Sequence, residues 1–181
     1  MGRVIPNENS FIGFVPEGDP NFPVDFNTPT EGEIAAAVDV TCFVSSITAS
    51  AQGNTIPTPS LCSLFETSVP GTSQATFQGD FYRDDDDTTP DEAWNLLPRN
   101  TKGIFYISRF GGTGTDYRPT AGEPVEAWPV HVTSRAAGPL SSNTPQTFSI
   151  TCAINEEPAE NATVQVGVLM SVDADKSKSS K

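Results

Sequence analysis

Four consecutive carboxylates, Asp84 to Asp87, are the strongest candidate in the sequence for metal chemistry, because hard cations prefer oxygen ligands. A calcium-binding helix–loop–helix motif, however, places its acids at alternate positions and needs glycine at the sixth position and glutamate at the twelfth. Here the acids are contiguous and Thr88-Thr89-Pro90 follows them. We therefore interpret the run as a solvated connection before a helix, where negative charge is favourable, and expect no metal site.

Other residues that could carry catalysis are few and isolated. His131 is the single histidine and lies in a strand pattern, and the glycines of Gly111–Gly114 lack the lysine of a phosphate loop. Cys42, Cys62 and Cys152 are odd in number, show no C-x-x-C spacing and stand among apolar or threonine-rich neighbours, which is typical of buried free thiols. The sequence predicts no enzyme, no cofactor and no metal.

The charge of the chain excludes another class. With 23 acidic and 10 basic residues the formal net charge is −13, and affinity for DNA comes from Lys and Arg that displace counterions. We therefore expect no sequence-specific DNA-binding protein. The acidity is consistent either with solubility or with a surface that lies near DNA without binding it. The N-terminus lacks the apolar region of a secretory signal, and no stretch approaches a membrane span. We expect a soluble protein, made in a cytoplasm, without membrane insertion.

Hydrophobic periodicity predicts a mainly all-β fold. The chain of 181 residues fits one domain, and 16 prolines and 14 glycines favour short strands joined by many turns. Alternating apolar and polar residues predict half-buried strands. The predicted strands are Val38–Val44, Ala75–Tyr82, Val125–Thr133, Phe148–Ile154 and Val164–Met170, together with the apolar run Gly103–Phe110. We expect a β-sandwich or partial barrel.

Two segments carry helix signals. Thr30-Glu31-Gly32-Glu33 has the pattern of a capping box and leads into Ile34–Ala37, which predicts one or two helical turns. Thr89-Pro90-Asp91-Glu92 supplies an N-cap, a proline at the first helical position and acids in the first turn. This predicts a short flanking helix at residues 89–97, with Ala93, Trp94 and Leu97 on its apolar side.

The remaining segments predict the domain boundaries. Residues 1–29 are interpreted as an N-terminal arm in which Ile12–Val15 form a short edge strand, residues 30–170 as the domain, and residues 171–181 as a flexible tail. Residues 45–72 are predicted to be a long loop, because prolines interrupt regular pairing. The arm and the loop carry large apolar side chains that need a packing partner: Phe11, Ile12, Phe14, Phe22, Phe26, Leu61, Leu64 and Phe65.

Several segments in order resemble one known family. They are TFQGDFYRD at Thr76–Asp84, an acidic linker with the helix PDEAWNLL, the strand and turn KGIFYISRFGG, and the late strand AWPVHVTS. A Val-Pro ending to the first apolar segment, followed by Pro29, Thr30, Glu33 and Ile34, matches the opening of that family. Over residues 5–170 the chain resembles the major tail tube proteins of siphophages, in the form found in phages of actinobacteria.

The resemblance implies a structural virion protein of the phage tail, with a β-sandwich fold and one flanking helix. Such subunits close hexameric rings whose strands join into one continuous barrel, and the rings stack into the conduit for DNA ejection. Implied partners are other copies of the chain, the tape measure protein and phage DNA in the lumen, and the tail tip and tail terminator proteins. The apolar residues of the arm and loop then become inter-ring or inter-subunit contacts.

The alternation of polar and apolar residues along the strands predicts which residues line the lumen. The polar faces of two strands are the candidates, and the apolar faces would fill the core. These lumen-facing residues are Gln78, Asp80, Tyr82, Ser149 and Thr151.

Three alternatives stay open at this point. A head–tail joining protein or tail terminator would form a ring without polymerising. A carbohydrate-binding β-sandwich would expose aromatic platforms in loops, whereas Trp94 and Trp128 lie in a predicted helix and strand. An enzyme is the third alternative.

Overall fold

The fold is one antiparallel sheet that curls on itself. A computed structural model describes residues 10–58, 67–84 and 91–166. Its described strands form the order β2-β1-β5-β6-β7-β4-β3, and β8 pairs with β6. The strands are β1 (Phe11–Pro16), β2 (Val38–Asp39), β3 (Val44–Thr58), β4 (Thr67–Tyr82), β5 (Lys102–Ser108), β6 (Pro124–Ala137), β7 (Thr147–Ile154) and β8 (Ala159–Thr163). The mainly all-β prediction is confirmed.

Aromatic contacts across the core show how strongly the sheet curls. Phe77 on β4 stacks on Phe105 of β5 with ring centroids 4.8 Å apart, although two strands separate β4 from β5 in the sheet. Adjacent strands lie about 4.8 Å apart, so this contact requires the two halves of the sheet to face each other. The concave side therefore encloses the main hydrophobic core, which has Trp128, Phe81 and Phe148 among its members.

The convex side of the sheet has two parts of opposite character. Around β1, β5 and β6 it is apolar and covered, since Ile104, Tyr106 and Ala127 form a second buried cluster with Ile34 of the first helix. Around β3, β4 and β7 the convex side is polar and bare. Because a sheet buries a face only where apolar side chains alternate on that face, the sequence itself divides the sheet into a covered part and an uncovered part.

Strand β6 joins these two parts. Its beginning pairs with β5 through Glu126–His131 and with β8 through Pro124, Val125 and Ala127. From Val130 to Ala137 it pairs with β7, with a register shift between Val132 and Ser134. A bulge increases local twist and bends the strand, which turns the chain from one half of the sheet into the other.

Two short helices flank the sheet. Helix α1 (Glu31–Ala36) has both bonds of the predicted capping box, since Glu33 N donates to Thr30 Oγ1 at 3.3 Å and Thr30 N donates to Glu33 Oε2 at 2.7 Å. Helix α2 (Glu92–Leu96) ends before Pro98 as predicted, and buries Ala93. It starts later than the predicted range of 89–97: Asp91 is its N-cap, and Thr89 and Pro90 lie outside the described residues.

The prediction of a long loop at residues 45–72 is wrong for the described part of that segment. Strands β3 and β4 pair with each other along a hairpin that extends to Thr58 and Thr67. Pro57 and Pro70 are tolerated because β3 is an edge strand and because a register shift between Gly53 and Thr55 absorbs the irregularity. The Thr, Ile and Val residues of this segment are of types that are enriched in strands.

Three further predictions of local structure need correction. The strand Ile12–Val15 is not an edge of a detached arm, because β1 lies between β2 and β5 and all of Phe11–Val15 is buried. The predicted strand Val38–Val44 is interrupted by a 3-10 turn at Thr41–Phe43. The described part of the predicted strand Val164–Met170 holds only an isolated bridge, from Gln165 to Thr30, and the last strand of the described residues is Ala159–Thr163; residues 167–170 lie outside the described range.

A glycine in β5 tests the close packing of β1 on β5. A Cβ at Gly103 would lie 2.4 Å from Phe14 Cζ and 2.5 Å from the backbone oxygen of Val15. We expect Gly103→Ala to destabilise the protein by about 1–3 kcal/mol, because neither the strand backbone nor the buried ring can move aside freely. Chemical denaturation measures the difference. Gly53→Ala is the matched control: its Cβ meets nothing within 4 Å, so equal losses in both variants would contradict the packing argument.

Candidate functional surfaces

The bare convex part of the sheet brings the predicted lumen-facing residues together. In register, Gln78 of β4 lies opposite Thr151 of β7, and Asp80 lies opposite Ser149. Tyr82 extends the same row, and 39% of its surface is exposed. The neighbouring strands continue this surface, which we call the polar face. Its members are Ser46, Thr48 and Ser50 of β3, Thr76, Gln78, Asp80 and Tyr82 of β4, Thr147, Ser149 and Thr151 of β7, and Ser134 and Ala136 of β6.

Side-chain hydrogen bonds link the neighbouring strands β3 and β4 across the polar face. Ser46 Oγ donates to Asp80 Oδ2 at 2.8 Å, and the hydroxyls of Ser50 and Thr76 are 3.0 Å apart. Among its members Asp80 carries the single charge, and none is cationic. Mostly hydroxyl side chains with one carboxylate give a surface that lacks the Lys and Arg groups needed to hold a phosphate backbone.

The polar face ends at two unpaired strand edges. Strand β3 pairs with β4 on one side, and in the described chain no strand covers its other side. On the far side of the face, β6 leaves β5 after His131, so residues 134–137 pair with β7 alone among the described strands. Unpaired edges of this length are templates for pairing with another chain.

Clefts elsewhere in the described chain offer little chemistry. One cleft of about 430 Å³ lies between the hairpin and the turn after β7, and its ionisable lining residues are Glu156, Glu157 and Glu160. No group of three potential metal ligands occurs within the described ranges. No helix there is long and apolar enough to cross a membrane. Catalysis needs convergent nucleophiles, acids or bases, and these surfaces do not provide them.

Comparison with known proteins decides between the remaining classes. A protein-family model described as phage tail tube protein matches residues 1–167. The chain belongs to the phage tail tube protein family. No curated protein sequence matches it. Membership of this family makes the tail tube protein a structural subunit of the virion tail and not an enzyme.

Two solved structures share the fold at low sequence identity. A chain in the virion of a native gene transfer agent particle is 14% identical with a TM-score of 0.51, and the match covers 86% of the tail tube protein and 98% of that chain. A chain in the six-fold symmetrised baseplate of an anti-feeding prophage is 8% identical with a TM-score of 0.50, covering 93% and 100% of the two chains. At such identities the likeness shows the fold alone.

The structure places the predicted contact residues of the tail tube protein in different environments. Phe11 and Phe14 are fully buried and Ile12 is 8% exposed, so these side chains pack inside their own subunit. The prediction that they contact a neighbouring subunit is therefore wrong for these three residues. Phe22 and Phe26 pack against the second cluster and stay half-buried. Leu61, Leu64 and Phe65 lie outside the described residues. Sequence analysis missed Val24, which is fully exposed between the two half-buried rings.

Helix α2 supports the end of β6 from the concave side. The Arg135 guanidinium lies 3.7 Å from the centroid of the Trp94 ring, and Nη1 donates to the Trp94 carbonyl at 2.7 Å. Arg83 also lies over this ring, and its Nε donates to Asp91 Oδ1 at 3.1 Å. Trp94 in turn meets the Phe148 ring edge-on at 5.1 Å. These contacts fix the helix beneath the strand that carries the free edge.

The ion pair at the start of α2 makes part of this support sensitive to acid. The hydrogen bond that the Arg83 guanidinium donates to the Asp91 carboxylate lowers the pKa of Asp91 below its ordinary value of 3.8. A carboxylate with a lowered pKa stabilises the folded state above its unfolded pKa, and that stabilisation is lost as the pH falls. We expect Asp91→Asn to melt below the wild type at pH 7, and the difference to shrink below about pH 4. Asp84→Asn is the control; a difference that does not change with pH would contradict the pairing.

Proposed function

We propose that this tail tube protein closes hexameric rings, that the polar face lines the lumen, and that stacked rings form the conduit through which DNA passes. The observation that carries the proposal is the bare polar face, which is bounded by one free strand edge on each side. A surface with one carboxylate and no cation lets a polyanion slide past without being held. The fold shared with a six-fold symmetrised baseplate chain supports the hexamer.

The direction of the strands allows the rings to close. Each copy contributes four strands to the polar face, in the order β6-β7-β4-β3, with antiparallel neighbours throughout. An even number makes β3 antiparallel to β6. When β3 of one copy lies beside residues 134–137 of the next copy, the pairing therefore continues as an antiparallel barrel, which removes both free edges.

The width of the resulting barrel favours six copies over three. Strands spaced about 4.8 Å apart and tilted about 40° give a hexamer, with its 24 strands, a backbone diameter of roughly 45–50 Å. A trimer would have about half that width, and inward-pointing side chains would leave too little room for a DNA duplex. Six copies are therefore the better fit for a DNA conduit.

Electron microscopy of the purified protein at rising concentration tests the proposal. We expect hollow tubes of stacked six-fold rings, with a tail tip complex added as a nucleus where monomers persist. Discrete rings that never stack would indicate a terminator or joining protein instead. Monomers that persist even in the presence of the nucleus would refute the polymer.

Cysteine pairs test the closure of the ring. In a background without the native cysteines, one of the proteins Ser46→Cys, Thr48→Cys, Ser50→Cys and Gln52→Cys should form disulfide-linked pairs with Ser134→Cys protein on assembly. The proposal puts these residues on the same face of neighbouring strands, and the tilt of the strands sets which of the four lies opposite Ser134. The same four proteins mixed with Phe110→Cys are the control, since Phe110 is exposed beyond the end of β5, away from β3 and from the end of β6. Cross-linking to Phe110→Cys at rates comparable to Ser134→Cys, or no cross-link to Ser134→Cys in any of the four mixtures, would exclude edge-to-edge closure.

The wider assignment follows from the resemblance. We infer a tail tube of the siphophage type found in phages of actinobacteria, with the tape measure protein in the lumen during assembly and the tail tip and tail terminator proteins at the two ends.

A further inference from the structure

The free edge at the end of β6 receives little support from the sheet itself. Residues 134–137 follow a register shift and pair with β7 on one side only, among the described strands. At the shift, Thr133 Oγ1 donates to the Thr151 carbonyl at 2.9 Å, so a side-chain bond links the two strands there. A strand end that is paired on one side has fewer bonds holding it extended than a central strand, and it opens more readily.

Arg135 supplies a second support from the inward-facing side of this edge. In register it lies opposite Ile150, a buried core residue, whereas Ser134 and Ala136 belong to the polar face. Its guanidinium stacks on the Trp94 ring of α2, with 3.7 Å between the guanidinium carbon and the ring centroid. A cation over an aromatic face is attracted by the quadrupole of the ring, and more strongly where water is partly excluded.

The same side chain completes the C-terminus of α2. Nη1 of Arg135 donates to the Trp94 carbonyl at 2.7 Å and lies 3.5 Å from the Leu97 carbonyl oxygen. Helix α2 has no basic residue in its own last turn, so β6 provides the cation that a helix C-terminus favours. The helix and the strand edge therefore stabilise each other.

Helix α2 is itself anchored to the core and to two other strands of the polar face. Ala93 and Leu97 are members of the main hydrophobic core. Trp94 meets the Phe148 ring of β7 edge-on, and the Arg83 guanidinium, directly after β4, lies 4.6 Å from the centroid of the Trp94 ring. The helix thus gives the β6 edge a fixed point that does not depend on the pairing of β6 with β7.

We propose that Arg135 is a positioning residue for ring closure, because its stacking on Trp94 holds residues 134–137 in the extended conformation that pairs with β3 of the next copy. This inference rests on the proposed closure of rings and names the side chain that prepares the edge for it. Strand β3 contains no charged residue, so it offers Arg135 no carboxylate, and Arg135 acts through α2. Only copies with an extended edge can join a ring, so loss of the stack lowers the competent fraction.

Replacing Arg135 with methionine tests this role. Methionine keeps an unbranched apolar side chain but lacks the planar cation and the donor to the Trp94 carbonyl. Analytical ultracentrifugation should show that rings close at a protein concentration at least about tenfold above that of the wild type, as a tenfold drop in the competent fraction requires. Arg109→Met is the control, because it removes a bond to Glu126 on the first half of β6. Equal shifts in the two variants, or no shift for Arg135→Met, would overturn the proposal.

A double substitution separates positioning through α2 from a direct contact with the neighbouring copy. Trp94→Leu should raise the ring-closing concentration by a similar factor. Adding Arg135→Met to Trp94→Leu should raise it no further, because both substitutions break the same link. Factors that multiply in the double variant would overturn the proposal.

Amide hydrogen exchange of the monomer gives a measurement that does not require rings. In Arg135→Met, the amides of residues 134–137 that bond to β7 should exchange about tenfold faster than in the wild type, while those of β5 stay unchanged. Unchanged exchange at residues 134–137 would overturn the inference and leave ring closure intact. Failure of the wild type to form rings, even with a tail tip complex present, would instead overturn the proposed function together with this inference.

Discussion

Replacing Asp80 with lysine should leave the tube intact and reduce the infectious titre of the phage by at least about tenfold. Each new ammonium group attracts a passing phosphate by about 1 kcal/mol at 4 Å in water, and many copies of the subunit act on the DNA at once. The fold tolerates the change, because Asp80 is exposed and the substitution removes one surface hydrogen bond from Ser46. Negative-stain images establish that tubes form. Plaque assays and the rate of DNA release in vitro then measure delivery.

A matched charge reversal separates the lumen from the rest of the surface. Glu160→Lys makes the same change of charge at an exposed position of β8, outside the polar face. Its titre should remain near that of the wild type. An unchanged titre for Asp80→Lys, or equal losses for both variants, would count against a lumenal position for Asp80.

Replacing Phe105 with alanine should destabilise the subunit by about 3–5 kcal/mol, because a fully buried ring is lost and a cavity remains. Phe105 is the centre of the main core: its ring contacts Phe14 at 4.7 Å, Phe77 at 4.8 Å and Phe81 at 6.5 Å between centroids. For a chain of this length we expect the melting temperature to fall by roughly 10 °C, and assembly to fail at the growth temperature of the host.

Phe110→Ala is the control for that loss. Phe110 follows the same strand but has 68% of its surface exposed, so its replacement should change the free energy of unfolding by less than about 0.5 kcal/mol. Thermal and urea unfolding of both variants give the comparison. If Phe105→Ala were as mild as Phe110→Ala, the curled sheet would not be held together by this aromatic cluster.

Alternation predicted the strands wherever one face is buried and the other is bare. In β4 and β7, Phe77, Phe81, Phe148 and Ile150 point into the core and Asp80 and its neighbours point outward, as the sequence indicates. The sequence also predicted the capping box of α1, because the two hydrogen bonds of this motif depend on residues only three positions apart. Local patterns therefore located most of the core and the polar face.

Features set by distant parts of the chain were not predictable from such patterns. Strand β1 is buried on both sides, which removes alternation and makes it look like part of an irregular arm. The hairpin of β3 and β4 is exposed on both sides for much of its length, so no hydrophobic period identifies it. Which strands end in free edges depends on the order of strands in the sheet, and sequence patterns do not carry that information.

Strand β6 gives the wall of the tube a mechanical property. Its first half pairs with β5 and β8 in the covered part of the sheet, which forms the outer layer of the proposed tube, and its second half forms part of the polar face, which we propose lines the lumen. A force on the inner surface is therefore carried to the outer layer by one covalent chain, and not only by contacts between side chains. With many subunits arranged in this way, the inner and outer layers of a bent tail cannot slide past each other. In the proposed tube, this coupling should resist collapse of the bore when the tail bends.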